Sequence, residues 1–206
     1  MKRFILLLGV AAAVASAPAS AQYIYIDANN DGVCTGAEAV SDQTTSIDIW
    51  LDTDSNQDGS TATCAIDPPT PLNMLSYEFI IHSRGNVTYG PWTNNIASFT
   101  TLLDSTFVGN DFHYARGGGG ATEVPGLYKL GTLQITVAPG TTPAISLVPA
   151  STDFGVWMTS FGSECPGNDM IYSIRLGGEF TGVCGPGAPT PVRTTTWGAI
   201  KNMYKK

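Results

Sequence analysis

The chain has 206 residues, with 17 Asp and Glu against 10 Lys and Arg, for a formal charge of −7. That sign disfavours nucleic acid and anionic lipid as partners and favours cations. Charged residues make up only 13% of the chain, against roughly 25% in ordinary globular domains, so Gly, Thr, Ser and Pro set its character.

In chain order, the first element is a targeting segment. Lys2 and Arg3 precede an apolar run from Phe4 to Ala15, and Ala19-Ser20-Ala21 forms a small-residue cleavage site. The run is too short to span a bilayer and has the flanks of a secretory signal. Residues 1–21 are therefore expected to be removed, leaving 206 − 21 = 185 residues from Gln22 onward. Loss of Lys2 and Arg3 takes the formal charge from −7 to −9. No later segment is long and apolar enough for a membrane helix.

Tyr23-Ile24-Tyr25-Ile26 reads as a short strand that runs into Asp27-Ala-Asn-Asn-Asp-Gly-Val-Cys-Thr-Gly-Ala-Glu38. These twelve positions have the ligand spacing of a calcium loop. Asp27, Asn29 and Asp31 offer side-chain oxygens at positions one, three and five, and Gly32 at six permits the sharp turn. Val33 offers its carbonyl, Thr35 stands at nine, and Glu38 closes the set at twelve. An Asn/Asp/Gly turn would also use several of these residues, but the complete set favours calcium. A strand replaces the entering helix of an EF-hand, so the expected role is structural: an ion that binds only the native state stabilises it. A partial second loop has Asp54, Asn56, Asp58 and Gly59, with Ser60 at seven, but Ala62 and Ala65 stand where side-chain oxygens are needed. It reads equally as a turn or as half a site, with Asp52 as a possible helper.

Ser46 to Asp52 alternates Ile47, Ile49 and Leu51 with Asp48, Trp50 and Asp52, the pattern of a strand with one buried face. Leu75, Tyr77, Phe79 and Ile81 alternate likewise, as do Leu133, Ile135 and Val137. Ala144–Val148, Phe154–Phe161 and Met170–Leu176 are further strand candidates, and Asn94–Leu103 is the one helical candidate. Gly117–Gly120 reads as a mobile loop. Many short strands broken by Pro and Gly predict an all-β, antiparallel β-sandwich across residues 22–184. Residues 185–193 form a Pro/Gly linker. In residues 194–206, Trp197, Ile200 and Tyr204 are spaced for one face of a short amphipathic helix that needs a surface to dock on.

Four cysteines in an exported chain imply two disulfides. The expected pairs are Cys34–Cys64, which would staple the two loops together, and Cys165–Cys184. The two other pairings stay open.

Trp50 stands on the polar side of its strand. It is a candidate platform for a sugar ring, with Trp92, Tyr89 and Trp157 as candidate companions. Its alternative is cover by a loop or second layer, with the other tryptophans in the core. His82 and His113 are the only histidines. No nucleophile elbow, zinc helix or nucleotide loop occurs. Glu78, Glu123, Glu164 and Glu179 are scattered carboxylates, so no enzyme is expected.

The strands Ser46–Asp52, Leu75–Ile81 and Leu130–Val137, followed by Pro139-Gly140 and Ile145–Val148, resemble the cohesin and carbohydrate-binding-module type of β-sandwich, of jelly-roll or immunoglobulin-like form. The loops resemble the half-loops of dockerin and thrombospondin-type repeats, without dockerin's duplicated loop-helix units. The ending Trp197-Gly-Ala-Ile-Lys resembles the C-terminal sorting tags of some exported bacterial proteins. The resemblance implies a secreted or cell-surface bacterial protein. The expected function is adhesion or structure with Ca2+ as cofactor. The alternatives are a carbohydrate-binding module, or a filament or surface-layer subunit docking by its tail. The expected partners are a glycan, a protein or further copies of the chain.

Overall fold

The computed structural model describes residues 23–32, 39–55, 61–64, 68–165 and 171–175, the last five by backbone alone. The sorting-type tail, the linker and the targeting segment lie outside these residues. The described chain is almost wholly strand: β1 (Tyr23–Asp27), β2 (Ser46–Asp52), β3 (Thr63–Cys64), β4 (Thr70–Pro71), β5 (Asn73–Arg84), β6 (Val87–Asn94), β7 (Thr101–Val108), β8 (Asp111–Gly117), β9 (Leu127–Val137), β10 (Ala144–Val148), β11 (Ser160–Glu164) and β12 (Ile171–Arg175), with one 3-10 turn at Thr152–Phe154.

Every pairing among these strands is antiparallel. One sheet has the order β1-β2-β9-β6. The other has the order β12-β11-β5-β8-β7, with β10 added to β5, and β3-β4 form a small ribbon. Period-two burial drives both sheets. Ile24, Ile47, Ile49, Leu51, Leu133, Ile135 and Val137 of the first share one apolar cluster with Met74, Tyr77, Phe79, Ile81, Phe112, Tyr114, Leu147 and Phe161 of the second. Burying a side chain of this size contributes about 1.5–3 kcal/mol, so the shared cluster is the main source of stability. Trp92 enters it against Phe79 and Tyr114, at ring distances of 5.0 and 5.1 Å.

Two sequence expectations are corrected. Asn94–Leu103 is not a helix. Asn94 closes β6, its side-chain amide donates to the Ile96 and Phe99 carbonyls at 2.7 and 3.3 Å, and β7 starts at Thr101. Phe154–Phe161 is not one strand: Phe154 ends the 3-10 turn, capped by Ser151, and β11 begins only at Ser160. Gly118–Ala121 forms a tight turn with the Ala121 amide on the Gly118 carbonyl at 3.1 Å, and Gly119 and Gly120 take φ of 58° and 106°, backbone that glycine adopts without strain.

The disulfide pairing also differs. Cys64 bonds Cys165, with an S–S distance of 1.99 Å, so neither Cys34–Cys64 nor Cys165–Cys184 forms. The sheet register explains it. Cys64 pairs with Thr70 in the ribbon that leads into β5, and Glu164 pairs with Asn73 at the start of β5. Both cysteines therefore arrive at the same end of β5, although they are 101 residues apart. Cys34 and Cys184 lie outside the described residues.

Candidate metal centre

The β1–β2 ladder matches Tyr23 with Asp52, Tyr25 with Trp50, and Asp27 with Asp48. Because side chains alternate, these six residues share the face turned away from the apolar cluster. That face is not open to solvent. Asp27, Asp48 and Asp52 are 0%, 2% and 5% exposed, and Tyr23 and Tyr25 are buried too. Tyr25 stacks on Trp50 with ring centroids 6.2 Å apart and planes within 3°.

The first loop leaves this face at Asp27. Asp27 Oδ2 accepts from the Gly32 amide at 2.8 Å. Asn29 Oδ1 accepts from the Asp31 amide at 3.0 Å, and Asn29 Nδ2 donates to Asp31 Oδ2 at 3.0 Å. Asn30 and Gly32 take φ of 58° and 78°. Both left-handed turns coil the chain back over the sheet, as a calcium loop needs at its sixth position. A Cβ on Gly32 would stand 3.6 Å from the Trp50 ring. The indole is thus partly covered by the loop rather than left as an open platform.

The electrostatics separate the two facing carboxylates. Asp48 Oδ2 meets Lys129 Nζ at 2.5 Å and its Oδ1 accepts from Thr132 Oγ1 at 2.6 Å. Asp27 Oδ1 is buried with no hydrogen-bond partner. Leaving a buried acceptor unsatisfied costs about 1–3 kcal/mol, and more for a charged one. A cation beside Asp27, Asn29 and Asp31 removes that cost. Hard oxygen donors, including an amide, suit calcium. The described residues hold no group of three or more His, Cys, Asp or Glu placed to hold a metal ion; the loop's set mixes carboxylate with amide, and Val33, Thr35 and Glu38 lie outside the described residues.

The second loop is anchored differently from its sequence pattern. Asp52 Oδ1, not Asp54, accepts from the Asp54 and Ser55 amides, each at 3.0 Å. Ser55 Oγ donates to Asp54 Oδ1 at 2.7 Å. Burial raises the Asp52 carboxyl above its ordinary value, against a lowering bond from the Tyr23 hydroxyl, and a hydrogen bond with Asp54 raises it further. A Ser55–Thr61 bridge closes the loop, and Asn56, Asp58 and Ser60 lie outside the described residues. Asp27 and Asp52 open the two loops at opposite ends of the ladder. Asp52 is four residues along β2 from Asp48, the partner of Asp27, or about 13 Å.

Of the remaining aromatic candidates, Tyr89 and Trp92 face inward. Tyr89 stacks near Phe112, donates to the Asn110 carbonyl at 3.0 Å, and has its phenol pushed up to about 12 by burial. Trp92 is part of the core packing. Trp197, Ile200 and Tyr204 lie outside the described residues.

A second constellation, on the outer face of the other sheet, was not singled out from the sequence. His113, fully buried, holds Asp104 Oδ2 through Nδ1 at 2.6 Å, and its Nε2 stands 3.8 Å from Glu78 Oε2. Burial raises the Asp104 carboxyl, but its bonds with His113 and Thr106 lower it further, for a net lowering. Glu78 accepts from Ser160 Oγ. Trp157 lies on His113 with ring centroids 5.0 Å apart. A half-open cleft of about 200 Å3 is lined by Glu78, Ser160, Ser76, Leu103 and Trp157. The alternation of Asp111 and His113 in β8 was the available signal, but the strand is buried on both faces and shows no clean period.

Comparison with family models, with curated proteins and with solved structures gives no match for this chain.

Proposed function

We propose that this chain is a secreted, non-catalytic, calcium-stabilised β-sandwich that serves in adhesion or structure at the cell surface or in an extracellular assembly. The carrying observation is Asp27 Oδ1, a buried carboxylate oxygen without a partner, in a loop whose first, third, fifth and sixth positions have calcium-loop chemistry. The two antiparallel sheets that share one apolar cluster support a sandwich. The targeting segment supports export into a medium where calcium is abundant, which is where a weak structural site is filled.

Isothermal titration of the purified chain with calcium, alongside Asp31→Ala/Glu38→Ala, tests the reading. Calcium binding in the parent and its loss in the variant are expected. Equal heats in both would remove the first loop from the site.

Glycan binding is the second reading, and what supports it lies away from Trp50. Trp157 is 37% exposed at the rim of the cleft, beside the Glu78 carboxylate and the Ser76 and Ser160 hydroxyls. An aromatic face with nearby acceptors and donors suits a sugar ring. Retention on insoluble polysaccharide that is lost in Trp157→Ala and kept in Trp50→Ala would support this cleft; retention kept in both would reject it.

A further inference from the structure

Strand β7 ends the larger sheet, and among the described residues nothing pairs with its outer edge. Its sequence is Thr-Leu-Leu-Asp-Ser-Thr-Phe-Val, and seven of its eight residues are exposed. Leu102, Leu103, Phe107 and Val108 are 53%, 52%, 63% and 41% exposed. Proteins usually blunt such an edge with Lys, Pro or inward charges. Here the only charge is Asp104, and His113 holds it. The one bulge falls between Leu102 and Asp104, leaving Asp104–Val108 in regular register with β8.

The backbone of that regular part is placed for a further strand. Val108 and Asp111 flank a two-residue turn at Gly109-Asn110, so they exchange hydrogen bonds, and alternation gives Thr106 the same orientation. Ser105 and Phe107 therefore turn their N–H and C=O groups to the open side.

The pattern of polar and apolar side chains around Ser105 is the same in both directions, although the residues differ. Asp104 and Thr106 flank it, Leu103 and Phe107 come next, and Leu102 and Val108 follow. A two-fold contact requires one patch to complement itself. An antiparallel copy centred on Ser105 sets Asp104 beside Thr106 and, because Leu103 is the extra residue of the bulge, Leu102 beside Phe107 on the face that carries Phe112. No two carboxylates meet, and the apolar ends cover one another.

We propose that β7 is a self-association edge: two copies pair antiparallel through β7, about a two-fold axis at Ser105, and continue the larger sheet across the dimer. The contact is independent of the calcium loops, which sit on the other sheet.

Sedimentation velocity of the full exported chain over a wide concentration range, in saturating calcium, tests this against Ser105→Pro and Phe107→Lys. Proline at Ser105 removes only an open-side N–H, which an edge strand tolerates, and Phe107 is exposed enough that lysine leaves the core intact. A concentration-dependent dimer in the parent, with monomers of unchanged melting temperature in both variants, is expected. A parent that stays monomeric throughout overturns the proposal. So does a dimer or larger assembly that survives Phe107→Lys, because its contact would lie elsewhere, on the C-terminal tail or another protein's strand.

Discussion

Asp27 and Asp48 face each other across the β1–β2 ladder, both buried, and among the described residues only Asp48 meets a cation, Lys129. Among the described residues Asp27 Oδ1 accepts no hydrogen bond, and a cation beside it would offset the cost of burying it.

Asp27→Asn is expected to change sign with conditions. In chelator the variant should melt at or above the parent, because the buried charge is gone while an amide oxygen can still accept from Gly32. In calcium the parent should gain about 2.7 kcal/mol at a hundredfold excess over Kd, and the variant should gain much less. Thermal melts in the two buffers check this. A variant that melts below the parent by the same margin in both would show that Asp27 acts only as a turn residue.

The Cys64–Cys165 bond closes a long loop between the ribbon and β11. In the chain-entropy picture a loop of this length contributes about 4.7 kcal/mol. Cys64→Ser/Cys165→Ser is expected to lose a large part of that in denaturant unfolding. Non-reducing peptide mapping should return the Cys64–Cys165 link, and the two cysteines left over, Cys34 and Cys184, should be joined in a second linked peptide. A Cys34–Cys64 peptide would overturn the assignment.

How much was readable in advance depended on how local the cause was. Ser46–Asp52 and Ala144–Val148 were legible as strands, and the first with its inward face, because Ile47, Ile49 and Leu51 alternate cleanly with polar residues. β8 was missed because Phe112, Tyr114 and their alternates are all buried, which erases the period. Ile96, Phe99, Leu102 and Leu103 imitate helical spacing, yet the first two belong to an Asn94-braced turn and the last two to an exposed edge. The loop pattern from Asp27 to Gly32 was legible because its contacts lie within a few residues. The distinction between Asp27 and Asp48 was not, since it depends on Lys129 and Thr132 of β9. The cysteine pairing failed for the same reason: proximity in sequence suggested Cys34, while β5 brought in Cys165.

Gly131 marks the closest approach in the smaller sheet. A Cβ there would lie 2.2 Å from the Thr93 carbonyl oxygen and 2.5 Å from the Trp92 ring. The oxygen belongs to the paired strand β6, and the indole is held by Phe79 and Tyr114, so neither can withdraw cheaply. Gly131→Ala is expected to destabilise by about 3 kcal/mol, at the upper end of ordinary overpacking costs, with near-ultraviolet dichroism of Trp92 altered. Unfolding within a few tenths of a kcal/mol of the parent would mean that β6 moves freely.

Asp52 supplies a pH signature. Its folded carboxyl lies above the unfolded value, mainly through burial. The folded state therefore holds its proton more tightly than the unfolded state. The resulting stabilisation is fully present below the unfolded carboxylate range, near 3.9, and is lost as pH rises through the folded value. Asp52→Asn keeps an acceptor for the Asp54 and Ser55 amides and removes the titration. Measured in chelator, the variant should gain stability over the parent as pH rises toward neutrality, and the gap should close in acid. A gap independent of pH would show that the charge of Asp52 is balanced in the folded chain, by Tyr23 and the two amides together.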